Sequence, residues 1–230
     1  MFEAVHVRPE GRSSLARMAR TASRYGYDGI ITRNHSDSAD IPVSEAYRED
    51  CAVPVVMGIE VRTDEPNVAR GTVGNERSNR SIVAVHGGTI PMNKFAVSTP
   101  AVDVLAHPMI DGGDLNHVLV KEAAANGVRL ECNLSRVLTT SGGARVRAIQ
   151  DLQKLFDLVD HYDAPYVVSA DPQSHLAFRA PRDLAALGAA IGLTEDWILD
   201  GLREWGSLVE RNRRIDSDSF VEPGVSRGER

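Results

Sequence analysis

Apolar and polar positions alternate in blocks along the chain. Short apolar runs rich in β-branched residues are separated by longer stretches in which apolar residues recur at helical spacing. This alternation is typical of βα units, in which parallel strands are joined by crossover helices. Most of the runs are apolar throughout, as expected of strands buried on both faces. Seven strands are predicted, at residues 2–7, 28–33, 54–62, 81–86, 102–106, 127–133 and 165–170.

Helices are predicted in the stretches between and after these strands, where apolar residues recur every three or four positions. In one stretch the caps support this, since Asp114 is a good N-cap and Asn126-Gly127 is a good C-cap pair. Ser141-Gly142-Gly143 is interpreted as a turn that enters a helix, with phosphate binding by its amides as the alternative. The predicted helices are residues 15–25, 114–126, about 144–161, one beginning at Pro181, and one from Thr194 to about Arg211.

Two stretches lack this periodicity. Residues 63–80 form the longest gap, which predicts a functional or mobile loop. From Asn212 the chain turns polar and ends in Gly and Arg, which predicts a disordered tail over residues 212–230. Residues 1–211 are then expected to form one α/β domain, in which the βα units close into a single TIM-like (β/α)7 barrel with a parallel sheet.

Length and composition agree with one globular domain. The chain has 230 residues, of which 42% are hydrophobic and 25% charged. No apolar stretch reaches the roughly 20 residues that cross a bilayer, and the N-terminus lacks the basic start of a signal peptide, so a cytoplasmic location and no membrane partner are predicted. The two cysteines, Cys51 and Cys132, form no CxxC pair, which argues against a disulfide framework or a zinc-cysteine site.

The charge pattern bears on whether the protein can bind a nucleic acid. The net charge is −6, yet only three of the 26 basic residues are lysine, so 23 are arginine. An acidic, arginine-rich chain is expected of a salt-adapted proteome. In molar salt the Debye length falls to about 3 Å and the gain from counterion release is small. The net charge of the protein therefore has little effect on its attraction to a charged partner. Binding to RNA would then depend on close bidentate arginine contacts, and the acidic total does not exclude it.

Polar ionisable residues cluster where the predicted strands end. In a parallel barrel these ends meet on one face, which predicts one polar cleft built from separate segments. Each residue alone has an ordinary structural interpretation, but a mixed set of imidazole and carboxylate suits zinc, manganese or iron and can activate water. The set is His6, His35, Glu60, His86, His107, Glu131, Asn133, Asp171 and His175.

The order of these residues resembles the polymerase-and-histidinol-phosphatase family, metal-dependent phosphoesterases that form distorted seven-stranded barrels. The resemblance lies in His6, His35, residues 58–60, 105–108 and 169–171. It departs from the family where His-x-His becomes His6-Val7-Arg8 and where a late Asp-x-His becomes Asp171 followed by His175. One hypothesis is therefore a metal-dependent phosphoesterase, or one whose transition-metal site is vestigial. Its implied ligands are His6, His35, Glu60, His107, Glu131, Asp171 and His175.

A second resemblance covers nearly the whole chain. The chain resembles, in the order and spacing of its motifs, the archaeal ribonuclease P protein component 3 family, relatives of the eukaryotic thirty-kilodalton subunit. The matching motifs are residues 3–11, 27–30, 33–35, 73–75, 83–88, 102–108, 141–145 and 164–171. The resemblance implies a subunit that assists a catalytic RNA in removing 5′ leaders from precursor tRNA. Hydrolysis, with Mg²⁺, would belong to the RNA. The implied partners are the ribonuclease P RNA, precursor tRNA within the complex and other protein subunits, and no catalytic residue or bound cofactor is assigned to this chain.

Under this hypothesis arginines in or beside the strand-end loops are the candidates for RNA contact, against the ordinary alternative of surface ion pairs. Arg8 and Arg33 are favoured because they share a rim with the histidines. A third hypothesis is a nuclease that cuts RNA with the same cleft and without an RNA subunit. The candidate RNA-binding residues are Arg8, Arg12, Arg33, Arg62, Arg77, Arg80, Arg145 and Arg179.

Overall fold

The structure, a computed structural model, describes residues 1–38 and 48–215, together with two short strands beyond them. The strands of this part are β1 (Phe2–Val5), β2 (Gly29–Thr32), β3 (Val55–Val56), β4 (Gly58–Val61), β5 (Ile82–His86), β6 (Val104–Ala106), β7 (Arg129–Asn133), β8 (Tyr166–Ser169), β9 (Phe220–Glu222) and β10 (Val225–Ser226). The helices are α1 (Leu15–Arg24), α2 (Pro66–Glu76), α3 (Ile90–Val97), α4 (His117–Asn126), α5 (Ser135–Thr139), α6 (Gly142–Tyr162), α7 (Pro181–Ala190) and α8 (Glu195–Ile215). Each of these helices is too short or too polar to span a bilayer.

The first eight strands form two parallel sheets, one with the order β1-β2-β3 and one with the order β4-β5-β6-β7-β8. Each predicted strand contains an observed one, except that residues 54–62 divide at Met57 into β3 and β4. Two backbone hydrogen bonds join the sheets beside this break, from Ser36 N to Glu60 O (2.8 Å) and from Glu60 N to Asn34 O (3.1 Å). The ladders do not close into one ring, so what the structure establishes is an α/β fold with parallel sheets.

The interior between the strands has an apolar part and a polar part. Because side chains alternate along a strand, Ala4 and His6 lie on one face of the sheet, as do Ala84 and His86. The apolar members of this inner face pack against three residues of α8, Trp205, Leu208 and Val209. Helix α8 therefore fills the interior from the amino ends of the strands, and the polar members are left at the carboxyl ends.

The predicted helices are present, and the structure also contains α2, α3 and α5, which the sequence pattern does not predict. Helix α4 is capped by Asn116 rather than Asp114, since Asn116 Oδ1 accepts hydrogen bonds from the amides of Val118 (2.9 Å) and Leu119 (3.1 Å). Its C-cap, Gly127, adopts the left-handed conformation expected there, with φ of 66°. Residues 63–80, predicted to be a loop, contain α2 instead. This helix buries only Ala69 and Val73, so its apolar pattern is too sparse to be recognised.

Helix α8 continues four residues past position 211, where the sequence analysis placed the end of the folded domain. Asn212 is buried and its Nδ2 donates to the carbonyl of Ser81 (2.7 Å) and to Asp103 Oδ1 (2.9 Å). A polar residue that is tied into the fold in this way is invisible to a hydrophobic pattern, so the boundary was placed too early. Beyond it, β9 and β10 pair in antiparallel fashion. Residues 216–219, 223–224 and 227–230 lie outside the described residues, and disorder there stays a prediction.

Candidate polar site at the carboxyl ends of the strands

Most of the predicted strand-end residues converge on one site. They are brought there by seven different strands or the loops that follow them, as expected from parallel topology. The imidazole rings of successive strands lie against one another, with centroids 4.9 Å apart for His6 and His35, 5.3 Å for His35 and His86, and 4.8 Å for His86 and His107. The converging residues are His6, Arg33, His35, Glu60, His86, His107, Glu131 and Asp171.

Glu60, at the carboxyl-end half of β4, lies at the centre of the site and is fully buried. Its Oε1 faces three imidazole nitrogens, from His86 Nδ1 at 2.5 Å, His35 Nε2 at 3.4 Å and His107 Nε2 at 3.7 Å. Its Oε2 accepts a hydrogen bond from Arg33 Nε at 2.8 Å. Burial alone would raise the pKa of Glu60, but the charge of Arg33 and the contacts with His35 and His86 outweigh it and hold that pKa well below its usual range. Glu60 is therefore a carboxylate.

Arg33 is the internal cation of the site, and only 2% of its surface is exposed. Its guanidinium donates to both Glu60 and Glu131, and its Nε lies 3.8 Å from Asp171 Oδ1. Burial by itself would lower the pKa of Arg33, but the three surrounding carboxylates, first Glu131 and then Glu60, raise it instead. With its donors directed to buried acids, Arg33 has no exposed fork to offer to a phosphate, which argues against the predicted RNA contact at this residue.

His6 and His35 are linked by Glu10, which was not among the predicted site residues. Glu10 Oε2 lies 3.2 Å from His6 Nδ1 and accepts from the amide of His35 at 2.8 Å, while Oε1 contacts His35 Nδ1. On its other side His6 Nε2 lies 3.0 Å from Asp171 Oδ1. The feature of the sequence that could have identified Glu10 is the glycine that follows it, Gly11. A Cβ at Gly11 would lie 2.2 Å from the carbonyl oxygen of His6, so only glycine allows the loop after β1 to fold back and return Glu10 to the site.

These contacts shift the pKa values of His6 and Glu10. Burial lowers the pKa of His6, but the contacts with Asp171 and Glu10 outweigh it and raise that pKa to about 9. Burial likewise raises the pKa of Glu10, but its contacts with His6 and His35 outweigh this and lower it to about 2. At neutral pH the site thus contains charged His6 beside charged Glu10 and Asp171.

The stability of the fold should therefore depend on pH through His6. A raised folded-state pKa gives a stabilisation that is complete below the unfolded value of 6.5 and is lost as pH rises through about 9. The free energy of unfolding, measured by denaturant titration at constant high salt, should fall between about pH 7 and pH 8.5. His6→Gln should lose this slope, whereas His161→Gln, at an exposed position, should keep it. Parallel slopes for both variants and the unchanged protein would contradict the role of His6.

Two predicted polar residues lie elsewhere. His175 is turned away from the site, because its Nδ1 lies 2.8 Å from Ser13 Oγ and its amide donates to the same oxygen at 3.1 Å. Asn133 accepts from the amide of Ser135 at 2.9 Å and lines a small cavity beside His107 and Glu131. His175 therefore cannot join a ligand set with the other six residues of the phosphoesterase hypothesis.

The arginines predicted to contact RNA are dispersed. Arg8, Arg12 and Arg145 are exposed and make no ion pair with any residue that the structure describes. Arg62 is exposed too, but its fork is engaged by Asp37, whose Oδ1 lies 2.9 Å from the guanidinium. The sequence predicts all four in or beside the strand-end loops.

Three further candidates lie away from the rim. Arg77 donates to Asp103 Oδ2 (2.5 Å) and to the carbonyl of Ser81 (2.8 Å), both just before a strand begins, so it lies at the amino ends. Arg80 follows the end of α2, and its Nε donates to Glu76 Oε2 at 3.0 Å. Arg179 turns back on its own loop and donates to the carbonyl of Phe178 at 2.7 Å. The positions of these arginines depend on tertiary contacts, which cannot be predicted from the places where strands end.

Solved structures show the same architecture. The chain superposes with a TM-score of 0.83 on a chain from a cryo-EM structure of archaeal ribonuclease P with mature tRNA, at 20% identity and covering 100% of this chain and 99% of that one. It superposes with a TM-score of 0.52 on histidinol phosphate phosphatase from Lactococcus lactis, solved with zinc, L-histidinol and phosphate, at 10% identity over 92% and 93% of the two chains. The chain thus has an α/β fold with parallel sheets that both structures share, and its polar site contains a buried arginine among its acids.

Sequence comparison gives the family. The chain is 56% identical to ribonuclease P protein component 3 of Natronomonas pharaonis, over 98% of this chain and 94% of that protein. It is 53% identical to the protein of the same name from Haloarcula marismortui, over 98% and 96% of the two. Residues 1–216 match the family described as RNase P subunit p30, and the chain belongs to that family. Both relatives come from halophilic archaea, in agreement with the salt-adapted composition.

The residues of the site do not fit the metal cluster that the phosphatase-type fold would imply. Glu60, Glu131 and Asp171 are grouped around Arg33, and His175 is directed elsewhere. Because Arg33 donates to Glu60 and Glu131, the oxygens of these acids are already engaged by a cation of the protein. Two smaller groups, His6-Glu10-His35 and His35-Glu60-His86, bring ligand atoms within 4.8 Å of one another, but they share His35. The seven-residue ligand set predicted from the sequence is not assembled.

Proposed function

We propose that the protein is a subunit of ribonuclease P that assists the catalytic RNA in removing 5′ leaders from precursor tRNA. The observation that carries the proposal is the match to the ribonuclease P family over residues 1–216, with relatives up to 56% identical along almost their whole length. Its partners are the ribonuclease P RNA, precursor tRNA within the complex and other protein subunits. Hydrolysis, with Mg²⁺, is the task of the RNA.

The polar site supports a role in binding and assembly rather than in catalysis. Catalysis by general acid and base needs a group that is within reach of substrate and free to exchange a proton. Glu60 and Asp171 are buried among cationic partners that lower their pKa values, and Glu131 is paired with Arg33. These acids hold several strand ends together. No residue of this site is assigned a catalytic role.

A closed barrel is part of the proposal. The two sheets would act as one TIM-like (β/α)7 barrel, with β3 and β4 as the two halves of one broken strand. The backbone bridge between His35 and Glu60 supports this on one side. On the other side, the amide of His6 donates to the carbonyl of Pro172 (3.3 Å), and Glu3 Oε1 accepts from Ser169 Oγ (2.6 Å). The cytoplasmic location remains a prediction from the sequence.

Reconstitution in high salt tests the function. The purified protein, added to the ribonuclease P RNA and the other protein subunits, should raise the rate of precursor-tRNA cleavage, and it should cleave nothing when the RNA is left out. Omission of this subunit alone is the matched control, because it leaves the RNA and the remaining proteins unchanged. An equal rate with and without the subunit would contradict the proposal.

The second candidate is a metal-dependent phosphoesterase, which the histidinol-phosphatase-like fold and the surviving imidazole cluster favour. It would contain transition metal in a stoichiometric amount and would hydrolyse a phosphoester without RNA. Metal analysis of the isolated protein, together with an assay on a generic phosphomonoester, separates the two. Cleavage of precursor tRNA by the protein alone would instead support a nuclease that needs no RNA subunit.

A further inference from the structure

Helix α1 carries a row of arginines that the site does not use. Its sequence, LARMARTASR, contains three arginines and no acidic residue. The apolar residues Leu15, Met18, Ala19 and Ala22 are buried against the core. Arg17, Arg20 and Arg24 are exposed on the opposite side, where their spacing of three and four positions makes them neighbours. We call these three residues the α1 ridge.

The α1 ridge brings three like charges together on one helix that has no acidic residue of its own. None of its three guanidinium groups forms an ion pair with a residue that the structure describes. Elsewhere on the surface such pairs occur, as between Arg203 and Asp200 at 2.6 Å. Arg20 lies three positions from Arg17 and four from Arg24, so like charges repel one another along this face of the helix. Arg17 in the first turn opposes the helix dipole, whereas Arg24 in the last turn is favoured by it. An anionic partner would relieve the repulsion between the three charges.

The surroundings of the ridge fit a polyanion. Ser14, Thr21 and His175 line a groove together with the three arginines, and no acidic residue lines it. Arg12, exposed and without an ion pair among the described residues, precedes the helix on a loop fixed by the hydrogen bond from its amide to the carbonyl of Gln173 (2.8 Å).

The dimensions of the ridge fit a nucleic-acid backbone. The distance from Arg17 to Arg24 along the axis is about 10 Å at 1.5 Å per residue. Three guanidinium groups distributed over this length can contact separate phosphates of one strand. At the end of the ridge Tyr25 is 43% exposed, so its ring is accessible to a nucleotide base.

We propose that the α1 ridge is a phosphate-binding surface for RNA, with Arg17, Arg20 and Arg24 gripping consecutive phosphates of one strand. This inference rests on the proposed function, since the RNA would be the ribonuclease P RNA or the precursor tRNA held by it. Arginine suits the task in concentrated salt, because its fork binds phosphate through two hydrogen bonds rather than through long-range attraction. An acidic protein surface is the competing partner.

The test compares two triple variants with the same change in net charge. Arg17→Gln/Arg20→Gln/Arg24→Gln removes the ridge, and Arg70→Gln/Arg203→Gln/Arg213→Gln removes three exposed arginines from α2 and α8. Binding of each to the ribonuclease P RNA is measured across a salt series, with circular dichroism to confirm folding. The ridge variant should bind at least about tenfold more weakly, and its slope of log affinity against log salt should be shallower by about two to three. The control should match the unchanged protein.

A lysine variant separates the effect of positive charge from the effect of the bidentate guanidinium contact. Arg17→Lys/Arg20→Lys/Arg24→Lys keeps the charge but removes the forks, so it should bind RNA with an affinity between those of the glutamine variant and the unchanged protein. If the ridge and control variants bind RNA equally while the unchanged protein still stimulates cleavage, the inference fails and the proposed function stands. Loss of binding to another protein subunit with RNA affinity unchanged would also overturn it. If the unchanged protein neither binds RNA nor stimulates cleavage, the proposed function itself fails.

Discussion

Arg33→Met is expected to lower the free energy of unfolding by about 3–5 kcal/mol, which is the usual cost of removing one partner from a buried ionic network. Methionine can fill much of the space, but it leaves Glu60 and Glu131 buried without the guanidinium to which both are bound. Denaturant titration at constant high salt measures the loss, because the slope with denaturant reports whether the unfolding remains two-state.

Arg62→Met is the matched control for this experiment. Arg62 also forms an arginine-carboxylate pair at the end of a strand, but the side chains of Arg62 and Asp37 are 42% and 51% exposed. Such surface pairs contribute about 0–1 kcal/mol. Similar losses in the two variants would show that the buried network contributes no more than a surface ion pair, and the role assigned to Arg33 would have to be withdrawn.

Trp205→Ala should cost a comparable amount, about 3–5 kcal/mol, for a different reason. Trp205 is 1% exposed and packs within the inner cluster that contains Ala4, Ile31 and Val167. Its removal leaves a cavity and also leaves the carbonyl of Val168 without the hydrogen bond from Trp205 Nε1 (2.9 Å). The same denaturant titration measures the effect.

Trp197→Ala provides the comparison at the other end of α8. Trp197 is only partly buried, and its ring stacks on Tyr166 with centroids 4.1 Å apart. It should cost less than Trp205→Ala, because part of the space it leaves is open to water. A larger loss for Trp197→Ala would mean that the core depends on the outer face of α8 rather than on the inner cluster.

The strands and the convergence of the site were predictable from the sequence because they depend on local patterns. A buried strand is an apolar run, and parallel strands bring their carboxyl ends to one edge, so His6, His35 and His107 could be placed together without coordinates. The caps of α4 show the limit of this reasoning. Both Asp114 and Asn116 are good capping residues, and only the path of the chain decides between them.

The roles of particular side chains were not predictable in the same way. Arg33 was expected at the rim, because nothing local distinguishes an arginine that reaches a phosphate from one that neutralises buried acids. The difference depends on Glu131, which lies 98 positions away in the chain. Glu10 was missed because it enters the site through a reversal of the loop at Gly11 rather than from the end of a strand. Arg77 was misplaced because its partner Asp103 precedes a strand instead of following one.

The inner cluster has a consequence for the order of events during synthesis. It joins Ala4 in β1 to Trp205 in α8, so one wall of the interior has no apolar cover until about two hundred residues of chain have emerged. Contacts of such wide sequence separation form slowly, and apolar surface exposed in the meantime favours aggregation. The last strand of the two parallel sheets ends at Ser169, so between its synthesis and that of α8 the nascent chain is expected to expose this apolar wall and to be most vulnerable to aggregation.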